Sequence, residues 1–225
     1  RQRQMCIRDR GGVSGFQVHI GRGVHTPGDL ADVLVAMNPA ALKTNARHVK
    51  RGGVVIIDSD SFRASDLEKA AFQTDDPIKE AGLSHAQIVP VPITQMVKDS
   101  LADSGLDNKS IVRCKNMFAL GLVCWLFDRP LEQAQHLLKN KFAKKPAIYE
   151  ANAKVMSDGY NYGHNIHASV STYRVESAQV RPGIYTDVNG NTATAWGLIA
   201  ASEKSGLPLF LGLSLIHISE PTRPY

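Results

Sequence analysis

The sequence predicts an α/β protein built on a parallel sheet, and three features point to it. Asp32–Met37 and Val54–Ile57 are short apolar runs rich in Val, Leu and Ile, the pattern of strands buried on both faces. Between them lies a helix-length segment whose Leu42, Ala46 and Val49 fall at i, i+4 and i+7 and form one apolar stripe. Strand-like and helix-like segments then alternate to about Asp158, as in a layered α/β domain. Two strands joined by a helix pair in parallel through a right-handed crossover.

Taken in order, Phe16–Ile20 reads as a strand, preceded by glycine-rich residues 11–15 and followed by the turn Gly21-Arg22-Gly23. This is a poor dinucleotide fingerprint, because the third glycine is missing and no helix follows. Thr26-Pro27-Gly28-Asp29 is turn chemistry. Asn38-Pro39 starts a helix expected over Asn38–Lys50, with Asn as cap and Pro in the first turn. Arg51-Gly52-Gly53 is expected to stop it, glycine taking the left-handed conformation of a helix end. Val54–Ile57 follows, closed by Asp58, and Ser65–Phe72 reads as a short helix. Ala86–Val91 is a third strand, and Ile93–Ser104 a helix with Ile93, Val97 and Leu101 on one face.

Asn108–Phe127 is the most apolar helix, and its Met117, Phe118, Trp125 and Phe127 fit core packing under a sheet better than a cofactor box. Leu131–Phe142 and Pro146–Asp158 read as two more helices, making a helical cluster at the end of this domain. Gly159–Pro182 is polar and aromatic without helical period and is expected to be an extended linker. Its His164 and His167 have no nearby third ligand, so no metal site is expected there. Tyr185–Gly212 begins a second α/β unit: a short strand, the Asn189-Gly190-Asn191 turn, a helix over Thr192–Lys204 ended by Gly206, and a strand at Leu207–Leu211. A helix opening at Gly190 and Asn191 offers free backbone amides to an anion or cofactor; an ordinary capped helix is the plainer alternative.

At 225 residues, 43% hydrophobic and 21% charged, the chain fits one large globular domain or two small ones. Its net charge of +5 hints at an anionic partner, but the two ends carry most of that charge. Met5-Cys6-Ile7-Arg8-Asp9 can be encoded by ATG TGT ATA AGA GAC followed by AG. The reverse complement, read from CTG, encodes Leu213-Ser214-Leu215-Ile216-His217-Ile218. The same short DNA on opposite strands resembles translated sequencing-library adapter, so residues 1–10 and 213–225 are expected to be non-native and to pack against nothing specific. Setting them aside removes five of 26 Lys and Arg and two of 21 Asp and Glu, and the net charge falls to about +2. Nucleic acid and anionic membrane thereby lose their compositional support. Cys114 and Cys124 remain, without CxxC spacing, so no disulfide framework, zinc site or iron–sulfur site is indicated. Met117–Phe127 is too short to cross a bilayer, and a cytoplasmic globular protein is expected.

The stretches GGVSGFQVHI, TPGDLADVLVAMNPAALKTN, RGGVVIIDSD, KNMFALGLVCWLFDRP, FAKKPAIYEANAKVMSDGYNYG and PGIYTDVNGNTATAWGLIAASEKSGLPLFLG, covering nearly all of residues 11–212, resemble 2-oxoacid:ferredoxin oxidoreductases. Within that family the chain is most similar to the 2-oxoglutarate-type α subunit with a fused γ domain. The resemblance implies an internal fragment of such a subunit. Residues 11–158 would be an N-terminally shortened, Rossmann-like γ domain, 159–182 a linker, and 183–212 the start of a pyrimidine-binding domain. It also implies thiamine diphosphate chemistry, in which a 2-oxoacid, expected to be 2-oxoglutarate, loses carbon dioxide, coenzyme A takes the acyl group and ferredoxin takes the electrons. A β subunit would bind the diphosphate through Mg²⁺ and carry the iron–sulfur cluster.

The sequence departs from the family where chemistry is concerned. Ser157-Asp158-Gly159 lacks the first glycine of a GDG motif, and no cysteine set for a cluster is present. The family's YPITP loop and activating acid have no counterpart, so no catalytic residue carries over and the chain alone is expected to be inactive. Gly190 and Asn191 are the residues the resemblance implies near the cofactor. The alternatives are a Rossmann-like nucleotide-binding protein, which needs a complete phosphate loop that is lacking, and a structural assembly module without redox activity.

Overall fold

The computed structural model describes residues 2–6, 15–21, 24, 28–166, 172–175, 179, 181–186 and 188–210. Residues 11–14, Pro27, His167 and residues 211–225, which several of the expectations above concern, lie outside these. The chain divides into two compact units, Arg1–Ala178 and Gln179–Tyr225.

The first unit opens with Gln2–Cys6 (β1) and Gly15–His19 (β2), an antiparallel pair. Residues 2–6 therefore have a strand partner, contrary to the expectation that they pack against nothing. Backbone pairing explains how: a ladder of main-chain hydrogen bonds asks little of side-chain identity. β2 turns Phe16 and Val18 outward, so this ribbon is separate from the main sheet.

Ala31–Ala36 (β3), Val49–Asp58 (β4) and Gln87–Val91 (β5) form a parallel sheet in the order β3-β4-β5. Between β3 and β4 runs Pro39–Asn45 (α1), capped by Asn38, whose Oδ1 accepts from the Ala41 amide at 2.8 Å. A 3-10 turn over Ala46–His48 ends this helix before Lys50. Leu42, Ala46 and Val49 are all buried, so the apolar stripe holds although its last residue opens β4.

Gly52 and Gly53 do not stop the helix; they sit inside β4, where the register with β3 slips between Ala31/Val49 and Val33/Val54. Gly52 has φ +76°, and a methyl on Gly53 would stand 3.0 Å from the Asp32 and Lys50 carbonyl oxygens. The glycine pair makes a bulge, not a cap, because extra residues in one strand need a left-handed position.

The remaining elements of the unit are Ala64–Lys69 (α2), Pro77–Glu80 (α3), Ile93–Ser100 (α4), Asn108–Arg113 (α5), Lys115–Leu126 (α6), Glu132–Lys141 (α7) and Pro146–Ile166 (α8). Cys114 divides the expected Asn108–Phe127 helix into α5 and α6. Alternation along β4 sends Val54 and Ile56 to one face, with Val89, Val97, Phe118 and Leu122. Val55 and Ile57 go to the other, with Leu42, Leu67 and Leu83. Both faces are covered, as a parallel sheet requires.

α8 continues through Gly159–Ile166, where an extended linker was expected. Its glycines explain the extension. A methyl on Gly159 would lie 2.1 Å from the Phe118 oxygen, one on Gly163 2.3 Å from the Trp125 ring, and one on Gly121 1.9 Å from the Met156 oxygen. The absent side chains let α6 and α8 touch backbone to backbone. Helix propensity is poor at glycine, but this contact outweighs it. His164 is thus a helical surface residue, its ring edge-on to Tyr160 at 5.0 Å. Tyr173 follows, its amide donating to the Leu126 oxygen at 2.8 Å and its ring stacked on Phe127.

The second unit contains Gly190–Ser205 (α9), ended by left-handed Gly206 as expected. Residues 184–186 and 207–210 form no strand, against both strand expectations. A strand exists only through a neighbour's hydrogen bonds, and these segments have no strand partner among the described residues. No described helix is long and apolar enough to cross a membrane.

Candidate functional site

Parallel pairing brings the C-terminal ends of β3, β4 and β5 to one edge, where α/β sheets place their ligands. The central strand ends there in Asp58, which is fully buried. α4 begins directly after Pro92, which has no side-chain acceptor for the free amides of the first turn. Asp58 supplies one: its carboxylate accepts from the Thr94 amide at 3.2 Å and the Thr94 hydroxyl at 2.7 Å. Asp60 accepts from the Gln95 amide at 2.8 Å. Ser61 donates to Asp58 at 2.8 Å, and Lys115 at the start of α6 balances the buried charge with its Nζ 3.5 Å away. Two carboxylates thus cap one helix from another strand's end, and a lysine compensates the one that is buried.

Over this cluster lies an open cleft of about 620 Å³. The β3–α1 turn forms one wall with Met37–Ala40; Asp60, Ser61 and α2 form another; Lys115 and Asn116 close the third. Lys69 pairs with Asp66 at 3.4 Å. Arg63 is exposed and makes no ion pair or side-chain hydrogen bond with any described residue.

Burial works against thiolate formation at Cys114 and Cys124. Burial pushes the Cys114 thiol up, and it pushes Cys124 up too, partly offset by Arg129. No three His, Cys, Asp or Glu residues gather closely enough to hold a metal among the described residues. A smaller depression of about 270 Å³ lies between α4 and α8. There Lys154 donates to Ser100 at 2.8 Å and to Asp158 at 3.1 Å, a polar tie between the two helices.

Gly190 and Asn191 are the first two residues of α9, and both are exposed. The cap is Asn189, whose Oδ1 accepts from the Thr192 amide at 2.8 Å. No residue of α9 is buried, and nothing lies within 4 Å of where a Gly190 methyl would be. The described residues of this unit therefore form no enclosure for thiamine diphosphate. The cluster of Asp58, Thr94 and Lys115 was not foreseen from sequence. Asp58 reads there as the end of a strand, and nothing local signals partners 36 and 57 positions away.

The sequence pattern of the pyruvate ferredoxin/flavodoxin oxidoreductase family matches residues 2–162. The chain belongs to that family. Over 202 residues it is 42% identical to the 2-oxoglutarate oxidoreductase subunit KorA of Mycobacterium tuberculosis, across 89% of this chain and 31% of that protein. It therefore spans about a third of that relative's length. A solved 2-oxoglutarate:ferredoxin oxidoreductase from Magnetococcus marinus, with 2-oxoglutarate, coenzyme A and succinyl-CoA bound, superposes with a TM-score of 0.51. That match covers 70% of this chain and 24% of the other at 23% identity, so it speaks to the oxidoreductase family's fold alone. The α/β class and the parallel sheet expected from sequence agree with it.

Proposed function

We propose that this chain is part of the α subunit of a 2-oxoacid:ferredoxin oxidoreductase that acts on 2-oxoglutarate. The observation that carries the proposal is the 42% identity over 202 residues to a subunit named for 2-oxoglutarate, reaching across both units of the chain. In this reading the holoenzyme oxidatively decarboxylates its substrate: carbon dioxide leaves, the acyl group passes to coenzyme A, and the electrons pass to ferredoxin. A β subunit would bind thiamine diphosphate through Mg²⁺ and hold the iron–sulfur cluster. Residues 11–158 would be the γ-type domain, although α8 carries its helical cluster on to Ile166. Residues 183–212 would open the pyrimidine-binding domain, with Gly190 and Asn191 beside the cofactor. Residues 1–10 and 213–225 would be adapter-derived, the protein cytoplasmic, and the chain alone inactive.

The test is ferredoxin reduction with 2-oxoglutarate, coenzyme A and added β subunit, run on this chain and on an α chain extended to the length of its relatives. Turnover by the extended chain with 2-oxoglutarate, and none by this chain, is the expected result. Turnover by this chain above background would overturn the inactivity. An extended chain that prefers pyruvate would overturn the substrate.

A further inference from the structure

We propose that the corner between α7 and α8 is a docking surface for the acidic face of a partner protein. Leu137 is its apolar anchor, and Lys139, Lys141, Lys144 and Lys145 supply its charge. The corner shares no residue with the cleft and does not rest on the reaction proposed above.

Residues 133–149 hold four lysines and no Asp or Glu. All four lysines are exposed, and none forms an ion pair with a described residue. The chain itself keeps them together. Lys139 and Lys141 lie in the last turn of α7. The Lys145 amide then donates to the Phe142 carbonyl at 2.8 Å, which folds the connection into a tight turn with Lys144 inside it. The Lys141 Nζ stands 5.7 Å from the centre of the Phe142 ring.

Helix electrostatics accounts for one pair of these lysines and not for the other. Lys139 and Lys141 complement the negative end of α7. Lys144 and Lys145 stand at the opposite kind of end, directly before Pro146 at the start of the 21-residue α8. Cations are disfavoured there, and the first turn of α8 has no acid to offset them. The Lys145 carbonyl accepts the Ile148 and Tyr149 amides at 3.1 Å, but its side chain, having no acceptor, cannot cap. A local electrostatic cost without a local gain marks a surface shaped for something other than stability.

Leu137 gives the surface its protein character. It is 67% exposed and lies one turn before Lys141 on α7. An apolar centre with a charged rim is the anatomy of a protein interface, and rim charges speed encounter and make it salt-sensitive. Nucleic acid fits less well. Residues 133–149 contain no arginine, and their aromatics, Phe142 and Tyr149, are half-buried rather than free to stack on bases.

Fluorescence anisotropy on the whole chain tests this with a labelled glutamate-rich peptide carrying one central phenylalanine. The same peptide with Gln for Glu, and a single-stranded DNA of equal charge, serve as comparisons. Saturable binding of the acidic peptide is expected, weakened by salt and at least about tenfold weaker in K141Q/K144Q/K145Q. L137S should weaken it while leaving the salt dependence unchanged. K79Q/K98Q/K109Q, which removes three exposed lysines on other helices, should bind like the parent. K144Q/K145Q should melt no lower than the parent, so its loss of binding is not a loss of fold. No saturable binding of the acidic peptide, equal loss in the two triple variants, or tighter binding of the DNA would overturn the surface.

Discussion

α6 and α9 are both helices with an apolar middle and an internal glycine, yet α6 buries six of its residues and α9 buries none. In α6, Gly121 is the point where the α8 backbone presses in. In α9, nothing lies within 4 Å of where a Gly197 methyl would stand, and Trp196 and Ile199 are about half exposed. Composition alone does not separate the two. What separates them is a partner surface, and most helix stability in proteins comes from such a surface rather than from propensity.

The contrast is broken most directly at the glycines. Gly121→Ala places a methyl on the Met156 carbonyl, and α6 and α8 must part to admit it. Urea denaturation should show a loss of about 3 kcal/mol or more in the first unit. Gly197→Ala should do the opposite, raising the helical circular dichroism of α9 by relieving about 1 kcal/mol of propensity cost. Equal effects at the two positions would mean that α6 and α9 are packed alike.

The sheet gives a second, comparable effect. Leu42 is fully buried against β4, so Leu42→Asp should unfold the first unit, and Leu42→Ala should cost about 2–5 kcal/mol. A native-like melt for Leu42→Asp would show that the helix face is misassigned.

Lys115→Met comes next. It leaves the buried Asp58 charge without its cation, though still hydrogen-bonded by Ser61 and Thr94, and a loss of about 2 kcal/mol is expected. Adding Asp58→Asn should recover part of it, since the charge that needed compensation is gone. A double variant less stable than Lys115→Met alone would place the role of Asp58 in its capping of α4.

The smallest effect concerns pH. Burial alone would raise the Glu80 carboxyl, but hydrogen bonds from Gln73 and Thr74 and the nearby Lys43 outweigh it and hold the group below the usual carboxylate range. A lowered folded pKa means the stabilisation is complete above the ordinary carboxylate value and fades as pH falls through the folded one. Glu80→Gln should flatten the acid limb of the stability curve slightly. An unchanged acid limb would show that the loop at Gln73–Thr74 is held by other contacts.

Much of the first unit was legible because strands and stripes are local. Val54–Ile57, Leu42 and the Asn38 cap each announce themselves within a few residues. The misread stretches all owe their form to distant partners. Gly52–Gly53 resembles a helix stop until β3 is placed beside it, and Gly159–Ile166 resembles a linker until Phe118 and Trp125 lie across it. The cleft shares that character, since the β3–α1 turn, α2 and the start of α6 line it together only once the sheet is assembled.

Hydrogen exchange resolved by residue tests the difference between the two helices most directly. The α6 and α8 amides should exchange only through global unfolding of the first unit, slowed at least about a thousandfold over free peptide, while α9 amides should exchange within about tenfold of it. Protection in α9 equal to that in α6 would contradict the account.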